Sequence, residues 1–347
     1  MEDPPPRSFD PSVLREAMAR RLHRRAEAEG QITLPAVPSM VDEYVTMCKN
    51  IFAGMGVQYT AEQSAQLKTV LEGELTKAYR TSPRSVVVIS FNAPFGTNLN
   101  YRVKADWLTI EADYDRWVAI RPQPLFGTEP DARVWALAGE AADPRTHRVL
   151  DIGAGTGRNA LALARRGHPV DAVEMAPKFA DIIRSEAERD SLDVRVLQSD
   201  VFSAIEGVHA QYQLIVVSEV VPDFRTTREL RVLFELAVDC LAPGGRLVLN
   251  TFLARPGYTL DNAARELGQQ SHSMIFTRDE VTSAAAELPL ELIADDPAYE
   301  YEKSHLPGGA WPPTGWFEGW ASGLDVFDVE RAESPIELRW LVYQKTG

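Results

Sequence analysis

Cysteine is almost missing from this chain, which has two, Cys48 and Cys240, in 347 residues. Both sit inside apolar helical stretches and read as buried thiols acting as small hydrophobes, so neither a disulfide framework nor a cysteine-based metal set is expected. No run approaches the roughly 20 apolar residues of a membrane span. The opening Met1-Glu2-Asp3-Pro4-Pro5-Pro6 has neither the positive start nor the apolar run of a secretory leader. The expectation is a cytoplasmic protein with no membrane partner. Positive charge is scarce as well: 36 Lys and Arg face 50 Asp and Glu, a formal net charge of −14. Phosphate binding needs a basic surface, so nucleic acid is not expected as a substrate. The basic stripe of Arg20, Arg21, Arg24 and Arg25 lies opposite Leu14, Met18 and Leu22 and reads as a solvated helix face. With 45% hydrophobic residues, the chain is long enough for one long domain or two ordinary ones.

The run from Val149 to Asn159 joins an apolar strand to a helix through Gly153, Gly155 and Gly157. A glycine turn lets backbone approach a ligand closely, and the helix behind it offers unpaired amides. A dinucleotide fingerprint would need its third glycine where Arg158 stands. The pattern here is instead an acid, Asp151, followed by glycines on alternate positions. Pro169 to Glu174 reads as a second strand ending in a carboxylate, about 20 residues on, where Rossmann-like folds place the acid that accepts ribose hydroxyls. Val194 to Phe202 gives a third strand followed by Asp200, and Tyr212 to Glu219 a fourth, buried one. A helix with Leu230, Leu233, Phe234, Ala237 and Leu241 on one face follows, stopped by Pro243-Gly244-Gly245 before the strand Arg246 to Asn250. Such alternation implies an α/β fold with a parallel sheet and helices on both faces, its ligands at the carboxyl ends of the strands.

These segments resemble the class I S-adenosyl-L-methionine (SAM) dependent methyltransferases. Gly155 to Ala164, Val170 to Glu174, Ala242 to Gly245 and the closing Leu338 to Lys345 are similar to the tellurite-resistance-type (TehB-like) members. The resemblance covers about Thr146 to Lys345. It implies a Rossmann-like methyltransferase sheet over 144–347, with 1–143 as an N-terminal α+β extension. It further implies SAM as cofactor, held by Asp151, Gly153, Ala154, Gly155, Gly157, Asn159, Glu174, Met175, Asp200, Val201, Phe202 and Ser218. In the family the acid after the third strand accepts from the adenine amine, and Val201 and Phe202 would lie beside the ring.

The extension reads as helices near Pro11–Glu29, Ser39–Ala53 and Ala61–Tyr79, the last with Thr60 as N-cap and Gln63 in the capping-box position. Strands Ser85–Phe91 and Asn100–Ile110 follow, joined by a loop with Pro94 and Gly96. Tyr114 and Trp117 precede a proline-rich join to the core, and the family often folds this segment over cofactor and substrate. Trp117 reads equally well as a core aromatic. Between Ile293 and Glu337 lies the stretch His305–Pro335, with Trp311, Trp316 and Trp320, a candidate acceptor wall or an oligomer contact.

A hydroxyl acceptor needs its proton removed by a nearby base. The candidates are Glu219, Asp223, His272 and His305; no metal is expected. The turn Ser218 to Phe224 lacks the Asn/Asp-Pro-Pro-aromatic sequence of adenine-N6 and glutamine methyltransferases, which disfavours those acceptors. Two readings stand at this point. One is a methyltransferase of a small-molecule acceptor, acting on oxygen of a metabolite, natural product or saccharide, with tellurite or a related anion as the TehB-like variant. The other is a SAM-binding assembly protein without catalysis. A homodimer is left open.

Overall fold

Thr60 caps the longest helix of the chain as its sequence requires, its hydroxyl accepting from the Gln63 amide at 3.1 Å and its own amide donating back to the Gln63 side chain at 2.9 Å. The computed structural model that contains it describes residues 9–347 except 24, 26, 94–98, 109, 121–123, 204–207, 209 and 210; for 23, 110, 111 and 113–115 it describes the backbone only. The Pro94–Gly96 loop and Arg24 therefore lie outside the described residues. Two compact units divide at Thr109/Ile110. The segment 110–143, grouped with the extension in the sequence reading, lies in the second unit.

The first unit contains α1 (Pro11–His23), β1 (Ala28–Pro35), α2 (Val41–Gly54), α3 (Ala61–Thr81), β2 (Val86–Ala93) and β3 (Asn100–Asp106). Leu67, Leu71 and Leu75 recur every four residues of α3 and are buried, with Cys48, Phe52, Val87 and Ile89 also buried in this unit. The three strands form an antiparallel sheet in the order β1-β2-β3. The first was not expected. The helix expected over 11–29 stops at His23, and Ala28–Pro35 pairs along its whole length with β2. Glu27 and Glu29 suit a helix locally, but Ile32 and Leu34 alternate, and pairing with a distant strand decides the outcome. Leu14, Met18 and Leu22 of α1 are exposed.

The second unit opens with α4 (Ile110–Ile120) and α5 (Ala132–Ala138). It continues with β4 (Val149–Ile152), α6 (Arg158–Arg165), β5 (Val170–Val173), α7 (Pro177–Arg189), β6 (Val194–Leu197), β7 (Tyr212–Val217), α8 (Thr227–Cys240) and β8 (Leu241–Ala254). It closes with α9 (Asn262–Gln270), β9 (Ile275–Phe276), α10 (Arg278–Ala285), β10 (Leu290–Pro297), α11 (Ala298–His305), α12 (Phe317–Ala321) and β11 (Ile336–Lys345). The sheet order is β10-β11-β8-β7-β4-β5-β6, with β9 beside β8. β4 runs parallel to both neighbours, while β11 runs antiparallel to β8 and β10. Because side chains alternate along a strand, Val149, Leu214 and Val216 enter the core on one face of the sheet, and Leu150, Ile152, Ile215 and Val217 the other. The first core takes in α6, the second α8. β5 and β7 leave β4 on opposite sides, so the chain reverses its order beside β4, where open α/β sheets bind ligands.

The segment after α11 carries structure of its own. Phe317 and Trp320 of α12 are buried, and Trp320 meets Phe252 of β8 edge-on at 5.2 Å. Cys48 and Cys240 are buried free thiols, each pushed up to about 11 by burial. Among the described residues no helix is long and apolar enough to cross a membrane, and no cluster of His, Cys, Asp or Glu could hold a metal ion.

Candidate active site

The glycines after β4 have φ of +71° at 153, +55° at 155 and +89° at 157, a region that residues with a β-carbon seldom occupy. A β-carbon on Gly153 would run into Val220, and one on Gly155 would press on the Phe126 ring at 3.3 Å. The turn is held by amides 153 and 154 donating to Val173 O at 2.8 and 3.0 Å. The Glu174 carboxylate sits inside it, accepting from Gly155 N at 2.8 Å and Ala176 N at 2.7 Å. Burial holds this carboxyl above the usual carboxylate range. The Met175 amide bears on it as well, and a carboxylate with about four lone-pair sites still has capacity left for a ribose hydroxyl. Asp200 accepts from the amides of Phe202 and Ser203 at 2.9 and 3.1 Å, and its bonds to Ser203 and this turn hold it below its usual range. Val201, Phe202 and Met175 are half-buried, and the Phe202 ring lies 5.5 Å from that of Phe224.

Behind the turn is a buried charge network. Arg158, at 8% side-chain exposure, binds Asp131 at 2.9 Å and Glu219 at 2.7 Å. The other oxygen of Asp131 accepts from Asn159 Nδ2 at 2.8 Å and Ser218 Oγ at 2.7 Å, and the Asp131 amide donates to Asn159 Oδ1 at 2.9 Å. Asn159 and Ser218, expected beside the cofactor, thus both bind Asp131 in this structure. Glu219 has φ +60° and donates its amide to Asn250 Oδ1 at 2.7 Å. Burial, then Asp131, pushes its carboxyl up against the opposing pull of Arg158. Burial and Asp131 likewise lift Asp151 to about 7, and its Oδ2 has no hydrogen-bond partner among the described residues. Asp131, Asp151 and Glu219 around one guanidinium, with Glu174 in the turn itself, give the site a surplus of acidic groups, which suits a cationic ligand. The buried acids and the glycine backbone fit SAM, a sulfonium carrying an ammonium group and a ribose.

A second cluster adjoins the turn. Val220, packed on Gly153, is followed by a short 3-10 turn, Val221–Asp223. Asp223 Oδ1 lies 2.9 Å from Nδ1 of His272, and the Trp117 ring is centred 4.5 Å from the imidazole. Trp117 and Phe126 also pack on Leu125, Ala176 and Phe179, so one aromatic wall reaches from His272 to the glycine turn. Trp316 extends it by donating its indole N–H to Leu125 O at 3.2 Å.

The structure therefore brings Asp223, His272, Trp117 and Trp316 together, with Glu219 nearby on the Arg158 network. His305 is elsewhere: it is exposed at the end of α11, stacked on Tyr301 at 4.2 Å and bonded to Tyr301 O at 2.8 Å. Trp311 packs on Tyr299 and Phe317. Trp320, expected in the acceptor wall, is 5% exposed, and its indole N–H donates to the His272 carbonyl at 2.8 Å. The Tyr114 side chain lies outside the described residues. Asp131 went unnoticed in the sequence, and Arg158 was noted only as the residue standing where a dinucleotide fingerprint needs glycine. The one signal was Asp131 before Ala132, which reads as a helix N-cap, yet its side chain caps nothing and turns to Arg158.

Residues 149–245 match the family model described as a methyltransferase domain. A protein-L-isoaspartate O-methyltransferase of Methanopyrus kandleri is 32% identical over 33% of this chain and 49% of its own length. A ubiquinone biosynthesis O-methyltransferase of Xanthomonas campestris pv. campestris is 31% identical over 40% of this chain and 57% of its own. The chain thus spans about half the length of these curated relatives. Among solved structures, the geranyl diphosphate C-methyltransferase of Streptomyces coelicolor is 17% identical, with a TM-score of 0.47 over 62% of this chain and 79% of its own. Residues 149–245 are a Rossmann-like methyltransferase domain of the class I, SAM-dependent type.

Proposed function

We propose that the whole chain is a SAM-dependent methyltransferase that acts on a hydroxyl oxygen of a small organic acceptor, with His272 taking the hydroxyl proton. The observation that carries this reading is the 2.9 Å contact between His272 Nδ1 and Asp223 Oδ1 on an aromatic wall shared with the glycine turn. With Nδ1–H directed at the carboxylate, the basic lone pair belongs to Nε2, and Asp223 stabilises the imidazolium that proton transfer creates. Bound SAM would supply an electrophilic methyl on a cationic sulfur. Glu174 would hold its ribose hydroxyls and Asp200 its adenine side, while the buried acids favour the cation and Phe126 and Trp117 exclude water. Methyl transfer is an in-line displacement, so alignment accounts for much of the rate.

Within the class, the TehB-like wording of residues 155–164, 170–174 and 242–245 keeps tellurite as the rival acceptor, against which the imidazole–carboxylate pair and aromatic wall favour a hydroxyl on carbon. A cytoplasmic location, absence of nucleic-acid partners and a homodimer belong to the same proposal. The deciding experiment incubates the protein with methyl-labelled SAM and pools of phenols, sugars and other hydroxylated metabolites, with tellurite in parallel. Label on a hydroxyl, lost in His272→Ala while SAM binding persists, supports the reading. Label on tellurite alone, or tight SAM binding with no acceptor labelled, overturns it.

A further inference from the structure

We infer that Trp320 is a positioning residue for His272, so that part of the aromatic insertion scaffolds the base from behind. This rests on the reading of His272 as the base. His272 has φ +54°, in the left-handed region, which a residue with a β-carbon keeps only where its surroundings over-determine it. Those surroundings are explicit. On one side of His272, Ser271 N donates to Leu267 O at 3.0 Å; on the other, Ser273 N donates to Gly268 O at 2.7 Å and Met274 N to Pro222 O at 2.9 Å. Two further contacts come from the insertion: Ser271 Oγ donates to Asp325 O at 3.3 Å, and the Trp320 indole N–H to His272's own carbonyl at 2.8 Å.

The donor is itself fixed. Trp320 is buried, stands edge-on to Phe252 in the long strand β8, and packs on Trp316 at 5.7 Å. A rigid sheet residue, the indole and the His272 peptide thus form one chain of contacts that ends at the Asp223–His272 bond. Gly268 adds a constraint from the other side, because a β-carbon there would lie 2.6 Å from Ser273 O. Trp320 makes its hydrogen bond to the His272 segment through the indole N–H, so packing and hydrogen bonding can be separated experimentally.

The test uses the full chain and nitrogen-detected NMR of the histidine rings, with the His272 signals assigned by their loss in His272→Gln. The Nδ1–H proton should give a protected resonance in the native protein. Trp320→Phe should lose that resonance to solvent exchange, while S-adenosylhomocysteine binding by calorimetry stays within about twofold, a difference of about 0.4 kcal/mol. Should Trp320→Phe fail to fold, 3-benzothienylalanine at position 320 keeps the indole shape and removes only the N–H, with the same loss expected. A protected Nδ1–H resonance unchanged in either folded protein overturns the inference. Failure of the base reading is distinct: His272→Ala would then leave methylation intact, whatever the ring spectra report.

Discussion

The amide of Gly155 donates to Oε2 of Glu174 at 2.8 Å, binding the middle of the glycine turn to the carboxylate that ends β5. One side chain therefore shapes the turn and, in the proposed function, would present oxygens to a ribose. Glu174→Ala removes the turn's bond and the charge-assisted bonds to the ligand, each worth about 1.5–3 kcal/mol. SAM affinity measured by calorimetry should fall at least about tenfold, and Glu174→Gln, which keeps acceptor oxygen, should lose less. Unchanged affinity in the alanine variant would remove Glu174 from the site.

Gly153 faces Val220, so steric approach at this glycine concerns a neighbouring side chain as well as a ligand. Gly153→Ala should lower both melting temperature and SAM affinity. Adding Val220→Gly should restore part of the loss but not all, because the φ of +71° still costs a β-carbon about 1–2 kcal/mol. Complete rescue would mean that the conformation carries no strain; no rescue would mean that Val220 is not the obstacle.

Arg158→Met leaves Asp131 and Glu219 in the interior without their counter-ion. Breaking a buried pair this way costs about 3–5 kcal/mol. Glu219 can neutralise itself by taking a proton, a step that burial already favours. The stability deficit in denaturant titrations should thus be larger at pH 8 than at pH 5. A deficit independent of pH would show that the partners are not charged.

Asp151 titrates near 7 in the fold against 3.8 for its ordinary value. The folded protein holds this proton more tightly, so the stability it contributes is present below pH 3.8 and is lost as pH rises through 7. In the cofactor-free protein, Asp151→Asn should gain relative to native over that window, by on the order of 4 kcal/mol at the upper end. A gap that stays flat from pH 4 to 8 would refute the shift.

His168 acts with the opposite sign. Its Nδ1 lies 2.9 Å from His147 O, its Nε2 is buried with no hydrogen-bond partner among the described residues, and burial holds its pKa below 6.5. The unfolded chain therefore takes up the proton first, and stability is lost as pH falls below 6.5. His168→Gln should flatten that acid limb in thermal melts at pH 5 to 7, whereas an equally steep limb would assign it to other groups.

The glycine turn, Glu174, Asp200 and the order of strands around them were legible in the sequence because each is a run of consecutive residues whose alternation and punctuation are local. The Asp131–Arg158 and Asp223–His272 pairs were not, since their members come from different connections and meet only after the sheet has ordered its strands. His272 and Asp223 were named singly, among candidates that included His305, which nothing local distinguished from them. β1 was missed for the same reason: its charged start suits a helix until β2 is present to pair with it. Trp320 was legible as an aromatic in an insertion, but whether its ring faces a ligand or Phe252 depends on a strand about seventy residues earlier.

Asp131 sits ahead of the first strand of the sheet yet is clasped by Arg158, Asn159 and Ser218, and Glu302 caps the helix it begins, accepting from the Ala132 and Arg133 amides at 2.7 and 3.2 Å. The strand pattern suggests that a shortened gene could start at Pro144, immediately upstream of β4. Such a product would expose the guanidinium of Arg158, the amide of Asn159 and the carboxylate of Glu302 together, in the place where the missing segment had satisfied all three. The smallest heritable piece of this sheet therefore begins before its first strand, and a recombination break between residues 131 and 144 would part Asp131 from Arg158 and leave Glu219 alone to face the guanidinium.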